Sequence, residues 1–186
     1  GLSVVLSYVV AYSAHNYVDN EVYIAFYESL RNENLSFSEF NLNIFSERLY
    51  MFEPGFRLLS IIIYRFGLGN IGYLFIIALL TNILFVNLMY RFKYPIFIII
   101  SFVTSGLYFQ ECNLVRQMLA VAIFCYSLRF IKENKKINYI LCIVCASLFH
   151  TSAIILLVFL IITWLDTEQN YSKYNKYLFV IWCLSI

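Results

Sequence analysis

Residues 71–90 form a run of twenty without one charged side chain, and this run restricts the possible folds more than any other feature of the chain. At 1.5 Å per helical residue it is about 30 Å long, the thickness of a bilayer's hydrocarbon core. Three further stretches, 95–109, 114–131 and 137–165, are also rich in apolar residues. Of the 186 residues 62% are apolar and 13% charged, about half the charge a soluble domain carries, so a single soluble globule is the reading that composition fits worst. Two Pro and six Gly speak against a collagenous or low-complexity chain.

The net charge of +2 is too small to point to nucleic acid, and its distribution carries more information than its sum. Between His15 and Glu53 stand seven acids (Asp19, Glu21, Glu28, Glu33, Glu39, Glu47, Glu53) against two bases, Arg31 and Arg48. Bases instead crowd two short stretches, Arg91 with Lys93 and 129–136, which holds four bases and one acid. Short basic turns between apolar spans face the cytoplasm by the positive-inside rule, which puts the acidic stretch outside.

The expected fold is all-α: a polytopic transmembrane helical bundle with a long extracytoplasmic loop containing short amphipathic helices. Residues 1–186 read as one membrane domain, with the acidic extracytoplasmic loop at 15–55 and the core spans at 71–165. The chain begins at Gly1 inside one apolar stretch and stops at Ile186 inside another, so it is expected to be a piece of a longer protein. Residues 2–14 have no basic head or cleavage site and read as the outer part of a membrane helix.

In the loop, Asp19, Tyr23 and Tyr27 fall at i, i+4 and i+8, which places a carboxylate and two phenols along one side of a helix. Glu53-Pro54 opens a short helix, expected along the outer interface with a short crossing as the alternative, with Phe56, Leu59, Ile63 and Phe66 as its apolar stripe and Arg57 opposite. A span over 95–109 is expected to emerge on the outer side near Gln110, Glu111 and Cys112. The run 137–165 has 29 residues, about 43 Å as a helix, and must tilt, break or protrude; His150-Thr151-Ser152 is its weak point.

Arg116 stands in an otherwise apolar helix, and an ionisable residue inside a membrane points to function because burying it unpaired costs ~2.5 kcal/mol or more. His150 is the other ionisable residue expected inside a span. Arg116 lies 18 residues before Asn134 and His150 lies 16 after it, so antiparallel helices joined at that turn bring both to nearly one depth, in the outer half of the membrane. Ala120, Ala122, Ala146 and Ser147 are small enough for close approach. A guanidinium beside an imidazole makes an anion site: Arg offers a rigid fork of donors, and His donates or accepts a proton. The alternative is structural, with Arg116 snorkelling to the headgroups and His150 bonding a carbonyl freed at a helix break. Spacing leaves both readings open.

Asn113-Leu114-Val115-Arg116-Gln117 with Ala120, Tyr126-Ser127 and Phe130-Ile131 before the basic turn, then Tyr139-Ile140 and Phe149-His150-Thr151-Ser152-Ala153, resembles the EpsG family of bacterial Wzy-type polysaccharide polymerases. The 19–23 stretch and Glu53-Pro54-Gly55-Phe56 resemble that family's first outer loop. The resemblance implies a glycosyltransferase of the bacterial cytoplasmic membrane that joins undecaprenyl-diphosphate-linked oligosaccharide repeats at the outer face, for capsule, O-antigen or exopolysaccharide. Arg116 would bind the diphosphate and stabilise it as it leaves. His150 would hold the same phosphates or act as a base, and Asp19 or Glu21 would activate the acceptor hydroxyl. Arg57 would add a phosphate contact, with Asn113, Gln117, Tyr23 and Ser152 completing the substrate site. Partners implied are the lipid-linked oligosaccharide, the bilayer and other polysaccharide export proteins; no nucleic acid and no cofactor are expected. His15, His150 and scattered acids supply no metal-ligand cluster.

A transporter or flippase of lipid-linked sugars would also want an Arg in a membrane cavity, but it commonly shows inverted repeats, and none is visible in this sequence. A non-catalytic membrane subunit is the third class. Cys142-x-x-Cys145 has redox spacing but lies in an apolar helix, where small core residues are the plainer reading. Tyr17, Tyr23 and Tyr27 are candidate sugar-stacking rings, and Asn34-Leu35-Ser36 and Asn170-Tyr171-Ser172 match a glycosylation sequon without meaning in such a membrane.

Overall fold

Helices begin and end where the apolar runs are punctuated. The computed structural model describes residues 1–14, 18–32 and 52–160, without the side chains of 18–20 and 31–32, and its described residues are helical with no strand. Tyr17, both sequons and residues 161–186 lie outside the described residues, as does the side chain of Asp19. The chain divides into two units, Gly1–Leu156 and Leu157–Ile186, and the helices that build the site belong to the first.

In chain order the helices are α1 (Leu2–Ala14), α2 (Val18–Asn32), α3 (Pro54–Arg65), α4 (Asn70–Met89), α5 (Pro95–Thr104), α6 (Leu107–Asn113), α7 (Val115–Lys132) and α8 (Lys136–Ser147), followed by a 3-10 helix, Thr151–Leu157. Pro54 and Pro95 stand in the first turn of α3 and α5, where their missing N–H costs nothing. Gly67, at φ +68°, lies between α3 and α4. Asn134, at φ +55°, turns α7 into α8, with the Lys135 amide donating to Phe130 O at 2.7 Å. In that exposed turn Lys135 Nζ donates to Glu133 at 2.7 Å and holds its carboxyl below the ordinary range.

α4 is the one described helix long and apolar enough to cross a membrane alone. α1 lies against it. Ser7, Ala11 and Ala14 of α1 are buried, as are Ala78 and Thr81 among the larger buried side chains of α4, and small residues of this kind permit close packing. α7 packs against both α4 and α8. Ala120, Ala146 and Ala153 form a small cluster of their own, and Ala122 is buried too. The Ser147 hydroxyl donates back to Val144 O of its own helix at 2.7 Å.

The span expected over 95–109 is broken. α5 and α6 are bent by 54° at Ser105-Gly106, where Gly106 takes φ +83°, a conformation a side chain would strain. The bend turns Glu111 and Cys112 inward, each 1% exposed, instead of delivering them to an outer surface. Asn82 Nδ2 donates to Glu111 Oε1 at 2.9 Å, to Ala78 O at 3.0 Å and to Ser7 Oγ at 3.3 Å, which ties α4, α6 and α1 together at one buried polar point. Glu111 thus joins Arg116 and His150 as an ionisable residue inside the bundle.

The inward face of α3 also differs from the expected stripe. Phe56, Arg57, Ser60 and Ile63 are buried, whereas Phe66 is 76% exposed. Phe56 and Ser60 pack on Tyr73 of α4: Ser60 Oγ donates to Phe56 O at 2.9 Å, which leaves the Tyr73 hydroxyl, 3.0 Å away, to donate to Ser60 Oγ. Arg57, expected opposite the stripe, is buried as well.

Candidate functional site

Four separate segments supply the site. The first is α2, whose helical register brings Tyr23 and Tyr27 to the same face, as their spacing requires. Both are buried, so they are not free sugar platforms: Tyr27 stacks on Tyr73 at 4.2 Å and donates its hydroxyl to Leu68 O at 2.6 Å. Tyr23 packs instead on Phe52 and Phe56, at 5.6 Å and 5.5 Å between ring centroids.

The second is the start of α3, and the third is the break after α8. The helix ends at Ser147 with Leu148 as its C-cap, and the 3-10 helix starts at Thr151. That break frees the Leu148 carbonyl, and the Gly55 amide donates to it at 2.8 Å. Backbone comes so close there that a Cβ on Gly55 would lie 2.7 Å from Leu148 Cβ and 2.8 Å from its oxygen. Glu53-Pro54-Gly55 thus has a physical meaning: Gly permits the approach, Pro starts the helix, and Glu53 is delivered to the break.

Arg116, in the first turn of α7, is the fourth part. A cation at a helix N-terminus opposes the dipole, so it needs a strong external partner. It has one in Glu53, whose Oε2 accepts from Arg116 Nη1 in an ion pair. The guanidinium also lies 4.8 Å from the Phe52 ring centroid, 5.4 Å from that of Tyr23 and 5.8 Å from that of Phe56, a three-ring cage, and its Nε donates to the Tyr23 hydroxyl at 3.4 Å. The other carboxylate oxygen of Glu53 accepts the Thr151 amide at 3.2 Å, with Thr151 Oγ1 at 3.5 Å. His150 Nδ1 stands 3.5 Å from the same Oε1 without hydrogen-bond geometry.

Arg116 and His150 therefore come together, as the count from Asn134 requires, but through Glu53. The carbonyl at the break is satisfied by Gly55 rather than by His150, and Arg116 is held inward by rings and a carboxylate, with its side chain 21% exposed. Of the other residues singled out, Gln117, Ser152 and Glu21 are exposed and Asn113 is half-buried; among the described residues no hydrogen bond or ion pair ties any of these four to the cluster. Arg57 is buried on α3, the same helix that Glu53 precedes.

Glu53 is the residue that sequence reasoning passed over. An acid before Pro at a helix start reads as a terminus signal, and its carboxylate makes no cap bond to its own helix. The signal available was its place in the motif Glu53-Pro54-Gly55-Phe56. Cys142 and Cys145 are free thiols, with Cys145 exposed, so the Cys142-x-x-Cys145 pair forms no disulfide.

No curated protein and no solved structure matches the chain. The EpsG family model matches residues 2–186, and the chain belongs to the EpsG family, a Wzy-type polymerase-like family.

Proposed function

We propose that this chain acts as a polysaccharide polymerase of the bacterial cytoplasmic membrane, a glycosyltransferase that joins undecaprenyl-diphosphate-linked oligosaccharide repeats at the outer face in capsule, O-antigen or exopolysaccharide synthesis. Family membership supports a polymerase with glycosyltransferase-like chemistry. The observation that carries the finer reading is the caged guanidinium of Arg116 beside His150, at the break between α8 and the 3-10 helix. A diphosphate leaving group gains negative charge as its bond to the sugar breaks, and a fixed guanidinium stabilises that charge without reorganising. His150 adds a second contact to the same phosphates. Gln117 and Ser152 are exposed and so available to the sugar.

Multi-span insertion is supported by the outward faces. Val5, Tyr8 and Tyr12 of α1, Ile96 and Phe97 of α5, and Leu141 of α8 are all exposed large apolar side chains, a surface that suits lipid. The basic stretches at Arg91 with Lys93 and at 129–136 then face the cytoplasm and the Arg116 cluster faces outward.

The experiment is chain growth by purified protein in lipid nanodiscs supplied with a synthetic undecaprenyl-diphosphate-linked repeat. Elongated product supports the polymerase. Transbilayer movement of labelled lipid in vesicles without elongation would instead make the protein a transporter, and neither activity would leave it a structural subunit.

A further inference from the structure

Glu53 is placed where an anionic ligand of this site would be placed. One oxygen takes the Arg116 guanidinium, the other takes the Thr151 amide, and Thr151 Oγ1 and His150 Nδ1 both stand 3.5 Å from that second oxygen. Donors from α7 and from the break after α8 thus converge on one carboxylate. A carboxylate and a phosphate group present comparable pairs of acceptor oxygens to such donors, so the two compete for them.

We propose that Glu53 is the internal counter-anion that a prenyl diphosphate displaces from Arg116, and that the released carboxylate is the catalytic base of the transfer. This rests on the polymerase reading. The backbone arrangement favours a side-chain exchange: Glu53 is extended, at φ −63° and ψ 149°, just ahead of a helix anchored by Gly55 to Leu148, so the carboxylate swings while α3 stays in place. Before the diphosphate arrives, the pairing neutralises Arg116 at an unfavourable helix N-terminus. With the diphosphate seated, its charge takes over that task and repels the carboxylate toward the acceptor.

The transfer step balances as follows. The acceptor sugar's hydroxyl oxygen forms a bond to the anomeric carbon of the donor chain. The bond from that carbon to the phosphate oxygen breaks, with its electron pair leaving on the diphosphate held by Arg116. The hydroxyl proton goes to Glu53. Among the other carboxylates weighed for this task, Glu21 is exposed and bonded to no member of the cluster.

The test uses the full chain in nanodiscs, with farnesyl diphosphate as the binding probe and a diphosphate-linked repeat for extension. Glu53→Gln keeps the shape and loses both the charge and the proton acceptor. It is expected to bind farnesyl diphosphate about tenfold more tightly, the gain from removing a competitor that leaves the site open one-tenth of the time. It is also expected to extend chains at least about 100-fold more slowly, the scale of a lost general base. Glu53→Asp, which keeps the charge with a shorter reach, is the folding control: slow but measurable extension with farnesyl diphosphate affinity within about threefold of wild type supports the proposal. If wild type binds and extends while Glu53→Gln extends within threefold of it, the base is elsewhere and the polymerase reading stands. Weaker or unchanged farnesyl diphosphate binding by Glu53→Gln, with Glu53→Asp binding normally, overturns the displacement. Wild-type protein that neither binds nor extends removes the polymerase reading and this proposal with it.

Discussion

Gly55 and Leu148 meet backbone to backbone, with the Gly55 amide donating to the Leu148 carbonyl at 2.8 Å. This contact sets the start of α3 on the break after α8, and Glu53 stands two residues before it. The site's geometry depends on that approach because no side chain lies between the two backbones.

Gly55→Ala should therefore damage both stability and chemistry. The added Cβ would meet Leu148 Cβ at 2.7 Å and its carbonyl oxygen at 2.8 Å, and backbone atoms have little room to yield. Overpacking of this kind costs about 1–3 kcal/mol, read as a lower thermal midpoint in detergent, and chain extension should fall with it as Glu53 is moved. Wild-type values for both would show that the approach has slack.

Tyr23 and Tyr27 share a helix face but should separate by function. Tyr27→Phe removes a donor to Leu68 O and should cost about 1 kcal/mol of stability, with extension within about threefold of wild type. Tyr23→Ala strips one ring from the Arg116 cage; a cation–π contact of about 1–2 kcal/mol corresponds to a loss of roughly tenfold in diphosphate affinity. Tyr23→Phe should stay near wild type, since the ring remains and the bond lost is long, at 3.4 Å. Equal loss in Tyr23→Ala and Tyr23→Phe would move the role from the ring to the hydroxyl.

The buried pair of Asn82 and Glu111 is expected to be structural. Asn82→Leu removes the one hydrogen bond that the Glu111 side chain makes among the described residues and should destabilise by about 2–3 kcal/mol. The double variant Asn82→Leu/Glu111→Leu should regain much of that loss, because a pair of apolar groups leaves no polar atom of the pair stranded. Additive losses in this double-mutant cycle would contradict the pairing.

Orientation is checked by labelling. In a cysteine-free background, Lys93→Cys and Lys136→Cys should react with a membrane-impermeant maleimide only after spheroplasts are opened, whereas Glu21→Cys should react in intact ones. The reverse pattern would put the Arg116 cluster on the cytoplasmic side.

How much of this was legible in the sequence depended on whether local pattern or distant placement decided the outcome. The helix over 70–89 and the turn at Asn134 were readable because twenty uncharged residues and a dense basic stretch act locally. The meeting of Arg116 and His150 followed from counting along two antiparallel helices. The break at Gly106 was hidden by an apolar run that continues through it, since a left-handed glycine leaves no mark in hydropathy. Glu111 beside Gln110 reads as an emerging end, and only the 54° bend turns it inward. Glu53 stood in a visible motif, Glu53-Pro54-Gly55-Phe56, but its partners lie 63 and 98 residues away, so the motif marks the residue without telling what it meets.

Whether Arg116 and His150 perform phosphate chemistry or only hold helices together is decided by the rate of chain extension from a diphosphate-linked repeat. Wild type, Arg116→Ala and His150→Ala are compared in nanodiscs at matched thermal stability. Phosphate chemistry at this site predicts a loss of about 100-fold or more for Arg116→Ala, the scale of a removed electrostatic contact to a leaving group, and a clear but smaller loss for His150→Ala. Extension by both variants at the wild-type rate would contradict it.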